Sequence, residues 1–124
     1  MPIKKLNYYT NQGTIFIKVD IKNVPSWNYQ YTEDQEHTNS RAINRKKEHT
    51  IGKPHELIRP HHNWVFTLDN TTNDEINNVE IKIEWFQIID GQEEKIEEWE
   101  KKDISIEADD GDIIEDRILL KPRS

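Results

Sequence analysis

The sequence predicts an all-β protein, an antiparallel β-sandwich interrupted by one long polar loop excursion. Three observations carry this expectation. Apolar and polar residues alternate with period two in several separate runs, the pattern of a strand with one face buried. Turn signals rich in Asn, Asp and Gly separate those runs at intervals that suit a sandwich. The chain has 124 residues, enough for one core but not for two, so a single domain over residues 1–124 is expected. Hydrophobic and charged residues each make up 33%. That apolar share is low for a globular chain, and only its concentration in alternating runs permits a core.

The first element is "TIFIKVDIKNV", in which Ile15, Ile17, Val19 and Ile21 alternate with Phe16, Lys18, Asp20 and Lys22. Gly13 opens it and Pro25 closes it, because proline cannot donate to a ladder. "SWNYQYT" repeats the alternation with Trp27, Tyr29 and Tyr31, which share one face if the segment is extended. Periodicity then disappears. Residues 33–60 read as a long polar, partly basic loop region, unusual in a compact domain, with "SRAINRKKE" capped by Ser40 as a short surface helix for its one regular alternative.

Regularity returns at "NWVFTLDN", where Trp64, Phe66 and Leu68 face one way and Val65 and Thr67 the other. "NTTNDEINN" is a turn whose side chains can bond their own backbone. In "VEIKIEWFQIIDG" the residues Val79, Ile81, Ile83 and Trp85 point inward and Glu80, Lys82 and Glu84 outward, and Asp90-Gly91 is a hairpin signal. "QEEKIEEWEKK" places Ile96 and Trp99 three apart, as on a helix. Its position between strong strand patterns makes it the return strand of a hairpin with an irregular register. "DISIEADDGD" gives Ile104, Ile106 and Ala108 in alternation before an acidic turn, and a last strand lies around Ile118 to Leu120, for six to eight strands in all. No internal repeat or low-complexity tract is present.

Composition excludes several function classes. With no cysteine there are no disulfides, thiolate nucleophiles, iron–sulfur clusters or Cys-type zinc sites, and the redox compartment stays open. No segment has the apolar length of a signal peptide or of a membrane span, so the chain is expected to be soluble with no assigned localisation. The net charge of −7 is unevenly spread: residues 1–64 hold ten Lys/Arg against six Asp/Glu, and residues 65–124 hold seven against eighteen. The acidic second half opposes nucleic-acid and anionic-membrane binding there and favours a basic or neutral partner.

Four groups of residues are candidates for a site. The basic run from 41 to 59 carries Arg41, Arg45, Lys46, Lys47, Lys53 and Arg59 against Glu48 and Glu56, and reads as a charged, solvated loop or as a contact for phosphates, an acidic protein surface or the chain's own acidic half. It has no aromatic residue for stacking bases, which argues against single-stranded nucleic acid. Trp27, Tyr29 and Tyr31 can form either an exposed platform for a sugar or a protein, or part of the core. His55, His61 and His62, with His37, His49 and Glu56 as further donors, are the candidates for zinc, copper or nickel. A strand starting at His62 puts that residue on the side of Trp64, Phe66 and Leu68 and His61 on the other, so the pair cannot chelate one ion. The expectation is therefore no metal and no cofactor.

The acidic turns "DNTTND" and "DDGD" invite calcium, but neither has the spacing of a calcium loop, and Asn70-Thr71-Thr72 is a glycosylation sequon. No nucleophile elbow or phosphate-cradling glycine loop exists, and no catalytic residues are expected.

Residues 64–121, with Phe66, Leu68 and Asn70 before a turn and Val79, Ile81, Ile83 and Trp85 in the strand after it, resemble bacterial immunoglobulin-like β-sandwich modules of the cell-adhesion-related type. The resemblance covers about half the chain and implies an immunoglobulin-like fold and an accessory binding or spacer role, not an enzyme. Together these readings predict a non-catalytic interaction module that recognises another protein through the 27–62 region. Carbohydrate binding on the aromatic face comes second and histidine-mediated metal binding third. Edge strands offer a route to self-association.

Overall fold

The computed structural model describes residues 4–33, 40–43, 48–57 and 60–123. Among them are nine strands: β1 (Lys4–Tyr9), β2 (Ile15–Lys22), β3 (Ser26–Glu33), β4 (Ser40–Ile43), β5 (Glu48–Gly52), β6 (His61–Asp69), β7 (Ile76–Ile89), β8 (Gln92–Ile106) and β9 (Gly111–Arg123). They form a five-stranded sheet in the order β1-β9-β6-β3-β4 and a four-stranded sheet in the order β5-β2-β7-β8. All pairings are antiparallel except β1 with β9. The sheets pack face to face as a β-sandwich, the architecture that period-two alternation demands when each sheet has one apolar face. Among the described residues no helix is long and apolar enough to cross a membrane.

The interior is written by alternation. Ile15, Ile17 and Val19 of β2, Trp64, Phe66 and Leu68 of β6, and Val79, Ile81, Ile83 and Trp85 of β7 are all buried. Three tryptophans bridge the layers. Trp64 lies 5.3 Å from Trp85 and 5.5 Å from Trp99 between ring centres, and Phe66 stacks on Trp99 at 6.5 Å. Trp99 donates its indole N–H to Asp116 Oδ2 at 2.9 Å. The indole N–H groups of Trp64 and Trp85 have no acceptor in the interior, a cost that their packing must outweigh.

The β7–β8 hairpin turns at Asp90 and Gly91, whose φ values of 51° and 79° suit the tight turn that matches strand twist. Ile96 and Trp99 reconcile with a strand through a bulge. Trp85 opposes Glu97 while Phe86 opposes Lys95, so Ile96 is an extra residue and the inward parity shifts by one. A second irregularity, between the pairs Val79–Ile104 and Ile81–Lys101, contains Asp103 at φ 57°.

Two buried amides fasten the ends of the sandwich. Gln87 accepts from Tyr9 N at 3.0 Å and donates to Tyr9 O at 2.8 Å and Gly13 O at 3.2 Å, tying the β1–β2 turn to β7. Asn70 donates to the carbonyls of Asp74, Ile106 and Glu107 at 2.8, 3.1 and 3.1 Å and accepts from Thr72 N and Oγ1.

Three expectations are corrected. The 33–60 stretch is not a loop throughout, because it contains β4, β5 and a 3₁₀ turn at Pro54–Glu56. "SRAI" is a strand and not the start of a helix: it pairs Ser40 to Ile43 with Thr32 to Tyr29, and a ladder outweighs so slight a helical signal. β1 was not foreseen, since only Leu6 and Tyr8 alternate there, and parallel pairing with β9 makes it a strand.

Candidate functional site

Strand parity places most of the sequence candidates at once. Trp27, Tyr29 and Tyr31 face the interior, where they are 7%, 1% and 2% exposed, and Tyr29 packs on Phe66 at 4.8 Å. The aromatic platform for a sugar or a protein is thereby overturned: with so few aliphatic residues, these rings are needed to fill the sandwich. Burial holds the Tyr29 hydroxyl well above its usual pKa, with neighbouring Tyr31 adding to the rise.

The histidines separate as the alternation requires. His62 is fully buried, with Nδ1 2.6 Å from the Tyr31 hydroxyl and the two rings edge to face at 5.3 Å. His61 is exposed on the opposite face and His55 is exposed in the 3₁₀ turn. Among the described residues no three His, Asp or Glu side chains assemble as metal ligands.

Arg41 lies in β4 opposite Tyr31, whereas Arg45, Lys46, Lys47 and Arg59 fall outside the described residues. The sequon asparagine, Asn70, is 1% exposed and its amide is fully engaged, so in the folded protein it offers no acceptor for a glycan.

The two outer faces of the sandwich differ in kind. On the four-stranded sheet every outward lysine of β2, β7 and β8 meets a carboxylate: Lys18 meets Glu93, Lys22 meets Asp20, Lys82 and Lys95 share Glu84 and Glu98, and Lys102 meets Glu100. The hydrogen bond that Lys18 donates to Glu93 raises the Lys18 pKa, and the charges of Glu84 and then Glu98 raise that of Lys82. Phe16 and Phe86 stack at 5.4 Å on this face, with the Lys18 ammonium 4.6 Å from the Phe86 ring.

The five-stranded sheet turns outward Asn28, Gln30 and Thr32 from β3, His61, Asn63, Val65, Thr67 and Asp69 from β6, and Ile113, Glu115, Arg117, Leu119, Lys121 and Arg123 from β9. Lateral register aligns Thr32 with Asn63 and Asn63 with Arg117. Around that row an open groove of about 470 Å³ is lined by Thr32, Asn63, Trp64, Val65, Glu115, Asp116 and Arg117. The Asn63 Nδ2 in its wall is buried without a hydrogen-bond partner. Among the described residues, Lys5, Arg117, Lys121 and Arg123 are exposed on this side of the molecule with no ion pair, and Arg123 instead donates to the Tyr9 hydroxyl at 3.1 Å.

Asn63, Arg117 and Lys121 were not among the sequence candidates. The signal was present in "RILLKPR", where Arg117, Leu119, Lys121 and Arg123 alternate with buried Ile118 and Leu120. Only cross-strand register joins Arg117 to Asn63 and Thr32. The fold and site define a two-sheet β-sandwich with one ion-paired outer face and one open polar face. Comparison with models of protein families, with curated proteins and with solved structures found no match for the chain.

Proposed function

We propose that the protein is a non-catalytic recognition module that binds another protein through the outer face of its five-stranded sheet. The observation that carries this reading is the contrast between the faces: on one the outward lysines are ion-paired, and on the other a groove holds an amide donor without a partner and Arg117, which makes no ion pair among the described residues although Glu115 and Asp116 line the same groove. Fixed donors beside short apolar groups suit a protein surface, which brings carbonyls, carboxylates and small apolar side chains together. Val65 and the exposed Ile113 supply the apolar contacts. The outward residues of β3 keep part of the 27–62 region in the surface, while its aromatic rings serve the core.

Kinship with the immunoglobulin-like modules belongs to the same proposal. Its support is that Phe66, Leu68, Val79, Ile81, Ile83 and Trp85 share one interior with Asn70 closing the turn between β6 and β7. A binding or spacer role without catalysis is what such modules imply.

The test is a pair of variants on opposite faces. Val65→Arg fills the groove, and Glu84→Arg disrupts the ion-paired lattice. A partner captured by the wild-type chain and purified should bind the Glu84→Arg protein with unchanged affinity in calorimetry and lose the Val65→Arg protein by more than ~10-fold, the scale of a bulky insertion into an interface core. Equal binding by both variants would place recognition elsewhere.

A further inference from the structure

We propose that the unpaired cations of β1 and β9 form a docking strip for an extended acidic segment of a partner protein, beginning at the groove and running toward the end of β9. The proposal rests on the reading of this face as a recognition surface and adds the chemistry of what it recognises.

The strip follows from register. Parallel pairing sets Lys5 beside Leu119, Asn7 beside Lys121 and Tyr9 beside Arg123, while β6 sets His61 beside Leu119 and Asn63 beside Arg117. Leu6, Tyr8, Ile118 and Leu120 occupy the inner parity, which leaves Lys5, Arg117, Lys121 and Arg123 outside. β9 is thus divided along its length. From Gly111 to Asp116 it carries Asp112, Glu115 and Asp116, and from Arg117 to Arg123 it carries three cations and no acid. The six lysines in the ion pairs of the described residues lie on the other sheet or, as Lys4 does with Glu97 at 3.4 Å, at the rim between the sheets. A chain of net charge −7 with ample acid elsewhere has left these four cations unanswered.

Geometry specifies an extended partner. Alternate residues of a strand are spaced roughly 6.6 Å apart, so Arg117 and Arg123 stand on the order of 20 Å apart with Lys121 between them. A second extended chain has the same repeat. Acidic residues at every other position of such a chain would all face the strip, where those opposite Arg117, Lys121 and Arg123 meet cations, and its neutral side chains would point away from it. Arg117, shared by the strip and the groove, fixes one end.

Nucleic acid fits less well. A polyanion is repelled by the rest of the molecule, and Tyr9, the aromatic of this strip, has its ring under the Arg123 guanidinium at 4.7 Å and so is not free to stack a base.

The probe is a synthetic ten-residue peptide of alternating Glu and Thr, compared with its Gln–Thr counterpart, titrated against the full chain at low ionic strength by NMR and fluorescence anisotropy. The Glu peptide is expected to shift the amide signals of residues 4–9 and 117–123, to weaken as salt rises, and to lose about tenfold or more in affinity in the Arg117→Glu/Lys121→Glu variant. The neutral variant Arg117→Gln/Lys121→Gln should show a smaller loss in the same direction, with circular dichroism unchanged in both. Lys82→Glu/Lys95→Glu on the opposite face should bind as wild type does.

Equal binding of the Gln peptide, equal loss from the opposite-face variant, or tighter binding of single-stranded DNA or phosphatidylserine vesicles than of the Glu peptide each overturns the proposal. If the Glu peptide fails while Val65→Arg still abolishes binding of a captured partner, the recognition face stands and its acidic specificity falls.

Discussion

The four-stranded sheet turns toward solvent a lattice in which Lys82 and Lys95 share Glu84 and Glu98, whereas the five-stranded sheet turns outward amides, hydroxyls, short apolar groups, the carboxylates of Asp69 and Glu115, and cations that make no ion pair among the described residues. The two surfaces arise from the same alternation and cover the same interior. Their difference shows that period two decides what is buried and leaves open whether the outward residues answer one another. On the first face Lys18 opposes Glu84 and Lys82 opposes Asp20 and Glu100, and the like-charged neighbours Glu84 and Glu98 are bridged by Lys82 and Lys95, so that face is internally matched. Outward neighbours on the second, such as Thr32, Asn63 and Arg117, cannot neutralise one another.

The comparison can be broken or sharpened by experiment. The largest effect should come from what both faces share. Trp85→Ala removes an interior ring touching Trp64 and should cost about 3–5 kcal/mol in denaturant unfolding, collapsing both faces together. Trp85→Phe should cost clearly less, because it also removes an indole N–H with no acceptor.

Asn70→Ala comes next. It strands the carbonyls that close the β6–β7 turn against the end of β8, and a loss of about 2 kcal/mol is expected in the same assay.

Stability should also fall in alkali. Burial raises the Tyr29 pKa in the folded chain above the ordinary tyrosine value of 10.0, so its contribution is present below pH 10 and is lost as pH rises toward the folded value. Tyr29→Phe should flatten that decline in melting scans between pH 9 and 11 buffers.

The smallest effects are on the outer faces themselves. Lys82→Gln should leave the denaturation midpoint unchanged within error, as exposed pairs usually do. Arg117→Gln should do the same while weakening binding, and that dissociation of stability from recognition is the sharpest test of the contrast.

Much of the interior was legible in the sequence. Val79 to Trp85, Trp64 to Leu68, the Asp90-Gly91 turn and the splitting of His61 from His62 all follow from local parity, and the structure reproduces each. β1 and β4 were not legible because each is too short to write its own pattern and exists by pairing with β9 or β3. The proposed recognition face was half legible. Outward parity could be read for Arg117, Lys121 and Arg123, but their lack of ion pairs and the approach of Asn63 depend on residues far away in the chain.

By itself the sequence determined the class of fold, the inward residues of the long strands, and the exclusion of thiol chemistry, because alternation and composition are local facts. Tertiary structure decided that three aromatic rings fill the core, that Asn70 is a structural hub and not a glycan site, and that one face is ion-paired while the other is open. Those outcomes depend on which strands become neighbours, and neighbours in a sheet are set by register across the chain.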